Sequence, residues 1–140
     1  MAKILVIDHE PRIRHLLDAL LNLNGYDVLL AESGQKGMEV YRLERPDAVV
    51  LDLNTPEMDG IAVLQQVRSL NRDQPVIICT GGGNVEMEKR ARALGANEII
   101  EKEIPPRRLM GVLNRLLDGP FPRAATQLRK LKEGQWRAIS

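Results

Sequence analysis

Five short apolar runs alternate along this chain with longer segments of helical periodicity. The runs are KILVI (3–7), YDVLLA (26–31), DAVVL (47–51), PVIIC (75–79) and NEII (97–100). They are too short for helices, and most are apolar at successive positions, so both faces of each strand are to be covered. Strands of that kind, joined by helices, predict a parallel sheet between two helical layers. Right-handed crossovers then leave few topologies. The one that fits the length is a flavodoxin-like (βα)5 three-layer sandwich, an α/β fold with strand order 2-1-3-4-5.

The helical segments carry their own signals. From Glu10 to about Asn24, Ile13, Leu16, Leu17, Leu20 and Leu21 form one inward stripe, with Pro11 in the first turn and Gly25 at the stop. Ser33 is placed to cap a second helix running to about Glu44, with Met38 and Tyr41 inward. Ile61, Leu64 and Val67 mark a third helix after the Pro56–Gly60 turn. A weakly apolar fourth ends near Gly95, and Pro105 and Pro106 open a fifth with Leu109, Val112, Leu113 and Leu116.

Composition narrows the function. The 140 residues, 44% apolar and 28% charged, suit one domain with a real core. Aromatics are only 3%, which excludes rows of stacking rings for single-stranded nucleic acid. The one cysteine, Cys79, lies in an apolar run and reads as core. No run approaches the ~18 apolar residues of a membrane span. The N-terminus shows no signal-peptide pattern, so a cytoplasmic protein is expected, with no membrane partner. Charge divides the chain. Residues 121–140 carry five bases against the single acid Glu133, while the first 120 hold fifteen bases against eighteen acids. The expected division is a folded domain over 1–119 and a basic tail over 120–140, with room for a short helix around 124–133. Such a charge cluster is ordinarily a solvated surface, so direct nucleic-acid binding is not expected.

Ligands in such sheets sit beyond the carboxyl ends of the strands. Strand 1 delivers Asp8, His9 and Glu10 there, strand 3 delivers Asp52, strand 4 Thr80 and strand 5 Lys102. Two of these carboxylates, Asp8 and Asp52, with a hydroxyl and an ammonium, come from four strands and suit phosphoryl transfer to a carboxylate. Asp52 would be the nucleophile. A divalent cation among the acids would neutralise the phosphoryl oxygens, and Lys102 and Thr80 would bind them.

The stretches KILVIDHE, PDAVVLDLNTPEMDG, PVIICTGG and GANEIIEK frame residues 2–118. In them the chain resembles a receiver domain of two-component response regulators, the family typified by the bacterial chemotaxis regulator. The resemblance implies a signalling switch, not an enzyme in the ordinary sense, that assists its own phosphorylation and dephosphorylation. By it, Asp52 is the phosphoacceptor, Thr80 the switch hydroxyl with Gly81 beside it, and Lys102 the phosphate-binding lysine. Asp8, Asp52 and the backbone carbonyl of Asn54 would hold Mg2+ or Mn2+. The implied partners are a histidine kinase or phosphotransfer protein upstream. Downstream stands a protein or a second copy, met through the face of helix 4, strand 5 and helix 5.

Three positions depart from the family pattern. His9 stands where a second acid usually ligates Mg2+; imidazole suits softer metals, so Mg2+ binding is expected to weaken unless Glu10 or water completes the site. Ile99 replaces an aromatic that swings inward on activation. Glu103 follows Lys102 where a proline is usual, so a trans bond is expected. These departures favour one alternative, a pseudo-receiver acting by protein contacts alone; a second alternative, an aspartyl-phosphate phosphatase of haloacid-dehalogenase type, also uses an Asp nucleophile, a Ser/Thr and a Lys. The latter usually has an acid where this chain has Asn54.

Overall fold

The computed structural model describes residues 1–54, 59–102 and 105–117. The expectations for Pro56, for the Lys102–Glu103 bond and for the 120–140 tail lie outside these residues. Five strands and five helices alternate: β1 (Lys3–Ile7), α1 (Pro11–Leu23), β2 (Asp27–Ala31), α2 (Gly34–Glu44), β3 (Ala48–Asp52), α3 (Gly60–Leu70), β4 (Val76–Thr80), α4 (Val85–Ala93), β5 (Glu98–Glu101) and α5 (Pro106–Leu117). The strands form one sheet in the order β2-β1-β3-β4-β5, and every pairing is parallel. This is the flavodoxin-like sandwich expected from the alternation of runs.

Successive strand residues feed opposite cores. Ile4, Val6, Ala48, Val50, Ile77 and Cys79 face the layer of α1 and α5. Leu5, Ile7, Val49, Leu51, Val76 and Ile78 face the layer of α2, α3 and α4. Because both faces are covered, an unbroken apolar run is the pattern these strands need. Local chemistry fixes the helix starts. The side chains of Ser33, Asp59 and Asn84 accept the amides of Lys36, Ala62 and Met87, each satisfying a free N–H of a first turn.

Two details differ from the sequence expectation. Leu16 is 57% exposed, although it belongs to the apolar stripe of α1. Ile13 and Leu21 are the residues of that stripe that become buried, with Leu17 and Leu20 partly so, because the five-residue stripe is wider than the surface available to cover it. The runs of β3 and β4 also extend one residue further than their apolar letters. Register pairs Asp52 with Cys79, so the ladder continues into the first polar residue and holds Asp52 and Thr80 on strand backbone. No described helix is long and apolar enough to cross a membrane.

Candidate functional site

The polar end of the sheet is built from three adjacent strands. Asp8 follows β1, Asp52 closes β3, and Thr80 closes β4; each is only 1% exposed. The backbone around Asp8 is pinned on both sides. Its N–H donates to the Ala31 carbonyl at 3.1 Å, and its own carbonyl accepts the Arg14 guanidinium at 2.8 Å. Its side chain accepts the Glu10 N–H at 2.9 Å, which turns the chain after β1 so that Glu10 comes back over the pocket.

Asp52 is held as tightly. Oδ1 accepts the Asn54 N–H at 3.1 Å. Oδ2 lies 3.0 Å from Lys102 Nζ and 3.0 Å from His9 Nδ1. A carboxylate only accepts, so the His9 contact requires the proton on Nδ1. Lys102 is the hub. Its ammonium also lies 2.6 Å from Glu10 Oε1 and 3.3 Å from Asp8 Oδ2. Its backbone N–H donates to the Thr80 carbonyl at 2.7 Å, which fixes where its stem starts.

Electrostatics follow from this geometry. Burial pushes the Asp8 carboxyl above its usual range, and the nearby Asp52 charge adds to the effect. Glu10 is pulled below its usual range by the hydrogen bond and charge of Lys102. Burial works against charge on Lys102, but hydrogen bonds with Glu10 and Asp52 and the charges of Asp52 and Asp8 outweigh it, holding the ammonium well above the ordinary lysine range. Three carboxylates thus share one ammonium. One donor atom each from Asp8, His9, Glu10 and Asp52 lies within 4.8 Å of all the others. The surplus of anionic oxygen fits a hard divalent cation, and the imidazole adds a single nitrogen donor.

Of the residues singled out from sequence, Asp8, His9, Glu10, Asp52 and Lys102 come together. Asn54 contributes through its N–H. Thr80 lies one residue beyond the register partner of Asp52, but its hydroxyl accepts the Gly82 N–H at 3.2 Å. Gly81 is exposed, and Gly82 and Gly83 both adopt positive φ. Ile99 is partly buried against the α2–α3–α4 core. Gly60, read from the sequence only as the end of a turn, also buttresses the site. Its N–H donates to the Leu53 carbonyl at 2.9 Å, and a Cβ there would meet the backbone of Leu53 and, at 2.8 Å, the Asp52 carbonyl oxygen. The Asp-Gly pair at the start of α3 was the available signal.

The response regulator receiver domain family matches residues 4–114. The chain is 34% identical over 120 residues to the response regulator MprA of Mycolicibacterium vanbaalenii, covering 86% of this chain and 52% of that protein. It is 36% identical over 115 residues to the "Probable transcriptional regulator ycf27" of Cyanophora paradoxa, covering 82% of this chain and 48% of that one. The chain therefore spans about half the length of the curated relatives it matches. Among solved structures, a CheY-like receiver domain protein from Methanospirillum hungatei superposes with a TM-score of 0.81 at 25% identity, covering 84% of this chain and 94% of that one. The receiver domain of NtrX from Brucella abortus gives 0.76 at 31% identity, covering 82% and 98%. Fold, strand order and matched residues agree: the chain belongs to the response regulator receiver domain family.

Proposed function

We propose that this chain is a phosphorylatable switch of two-component signalling, with Asp52 as the acceptor. The observation that carries this reading is the Asp52 carboxylate itself. It is buried at the end of an inner strand, 3.0 Å from the Lys102 ammonium, and gathered with Asp8 and Glu10. An Asp52 oxygen attacks the phosphorus of a phosphohistidine on a histidine kinase or phosphotransfer protein. The P–N bond breaks, its electron pair stays on the imidazole nitrogen, and an aspartyl-phosphate forms. Attack of water on that phosphorus returns the carboxylate and inorganic phosphate, so the domain assists both its loading and its reset. Lys102 holds a phosphoryl oxygen. The Thr80 hydroxyl leaves the Gly82 N–H to hold another, and the glycines at 81–83 let that loop follow.

Asp8, Glu10, Asp52 and the Asn54 carbonyl are the groups that would hold Mg2+ or Mn2+. A bound cation supplies charge neutralisation on the phosphoryl oxygens. The receiver unit is read as residues 1–119, with 120–140 a basic tail. Downstream, the face of α4, β5 and α5 meets a protein or a second copy in the cytoplasm.

The His9–Asp52 hydrogen bond favours a second reading, a pseudo-receiver whose acceptor is permanently engaged. Incubation with acetyl phosphate and Mg2+ or Mn2+, read by intact mass, separates the two. The proposal expects one phosphoryl adduct on the native chain and none on Asp52→Asn. A native chain that stays unmodified with both ions would leave the pseudo-receiver standing.

A further inference from the structure

We infer that His9 is an inner ligand of the metal pocket, and that this makes the site a mixed nitrogen–oxygen one selecting borderline first-row cations over Mg2+. The inference rests on the metal pocket of the proposed function but concerns which ion it takes.

The geometry comes first. His9 Nδ1 is not turned to solvent; it lies 3.0 Å from Asp52 Oδ2, the oxygen that also faces the Lys102 ammonium. Two donor atoms of one tetrahedral or octahedral ion bound at about 2.0–2.1 Å stand roughly 2.9–3.4 Å apart. Without an ion the His9–Asp52 contact is a hydrogen bond, and it holds the ring nitrogen at the pocket within the span that two ligands of one ion occupy. The other two donors, from Asp8 and Glu10, lie within 4.8 Å. Closing on an ion requires these donors to draw together and the Lys102 ammonium to give way.

A cation also already sits among these acids. The Lys102 ammonium is 2.6 Å from Glu10, 3.0 Å from Asp52 and 3.3 Å from Asp8. The pocket therefore collects positive charge at a point that three carboxylates share. His9 loses little by ligating. The Nδ1 proton moves to Nε2, and the side chain is 42% exposed, so water can accept from that nitrogen.

The chemistry then sets the preference. Mg2+ takes oxygen and keeps its waters, so a nitrogen donor in place of a carboxylate removes charge and adds little. Mn2+, and more so Co2+, bind imidazole well and rise along the Irving–Williams order. Every N/O site shows some of that order. The signature of His9 is thus the change in the ratio of affinities when the nitrogen is replaced by oxygen.

The test is a calorimetric titration of the full chain with Mg2+, Mn2+ and Co2+, repeated on His9→Asp and on His9→Asn. We expect His9→Asp to lower the Co2+ to Mg2+ affinity ratio by at least roughly tenfold, with Mn2+ between. His9→Asn should weaken Co2+ more than Mg2+, which covers the case in which the aspartate variant folds poorly. Bound Co2+ should shift its visible absorption in the native chain, and that shift should move in both variants. An unchanged ratio, or a Co2+ spectrum indifferent to residue 9, would overturn the inference. Failure of the proposed function looks different: no adduct on Asp52 with any ion, whatever the affinity ratio does.

Discussion

Replacing Lys102 by methionine tests the electrostatic account of the pocket. Methionine keeps most of the stem, which lines a small cavity together with Leu17, Leu20, Cys79 and Leu109, so the change is mainly the loss of charge. Two of the three carboxylates it serves are buried, with side chains 1–2% exposed. Removing one partner of a buried pair costs about 3–5 kcal/mol. The low end, about 3 kcal/mol, is expected here, because Asp52 keeps the Asn54 and His9 donors and Asp8 keeps the Glu10 amide. With a urea slope of about 1.5 kcal/mol/M, the midpoint should fall by roughly 2 M in metal-free buffer. A divalent cation can stand in for the ammonium. Mg2+ at about 100 times the variant's Kd returns about 2.7 kcal/mol and should rescue it; at that same concentration the native chain, whose ammonium competes for the carboxylates, should gain less.

The pH dependence has a sign. Burial raises the Asp8 pKa in the folded chain, so the folded state takes up that proton before the unfolded one does. Ionised Asp8 is therefore a cost at neutral pH, relieved as pH falls through the raised value. Glu10 acts oppositely: its pKa is lowered through Lys102, so its contribution is present above the unfolded value and is lost as pH falls through the folded one. Without Lys102 the Asp8 cost grows and the Glu10 contribution goes. The gap between native and variant should narrow on acidification from neutral pH. Urea melts of both chains with and without Mg2+, at neutral and mildly acidic pH, measure all of this. A loss below about 1 kcal/mol without metal, or no Mg2+ rescue, would refute the reasoning.

Two further outcomes are expected. Gly60→Ala places a Cβ against the backbone of Leu53 and Asp52, which cannot give as a side-chain tip can. It should cost about 1–3 kcal/mol in a chemical melt and slow labelling of Asp52 by acetyl phosphate; labelling at the native rate would separate Gly60 from the site. Cys79 is 6% exposed, and burial, helped by the nearby Asp8, pushes its thiol up to about 12. Iodoacetamide at about pH 8 should modify it only in urea, and folded-state reaction at the rate of a free thiol would contradict its placement.

Much of this was legible in the sequence for one reason. Two-sided burial writes itself as an unbroken apolar run, and a polar residue ending such a run stands at the rim of the sheet. That is why Asp52, Thr80 and Asp8 could be placed from the sequence; the strand order came instead from crossover handedness and chain length. What was not legible depends on side-chain direction. His9 could have pointed outward; in the structure its Nδ1 lies 3.0 Å from Asp52 Oδ2. Glu10 reads as the first acid of a helix, yet it reaches Lys102, 92 residues away in sequence. Arg68 has the look of a solvated helix residue. Its guanidinium instead donates to the carbonyls of Gln74, Leu94 and Gly95, tying the end of α3 to the chain before β4 and before β5. The buried bond between Tyr41 and Gln74, at 3.1 Å, likewise has no local signature.

The claim that matters most is that Asp52 carries the phosphoryl group. Labelling the native chain with acetyl phosphate, trapping the acyl phosphate by borohydride reduction and sequencing the peptides by mass spectrometry locates the modified residue directly. The account predicts that residue 52 alone is converted to homoserine, and that omitting the divalent cation suppresses the conversion. Conversion at Asp8, Glu10 or any other acid, with residue 52 recovered as aspartate, would contradict it.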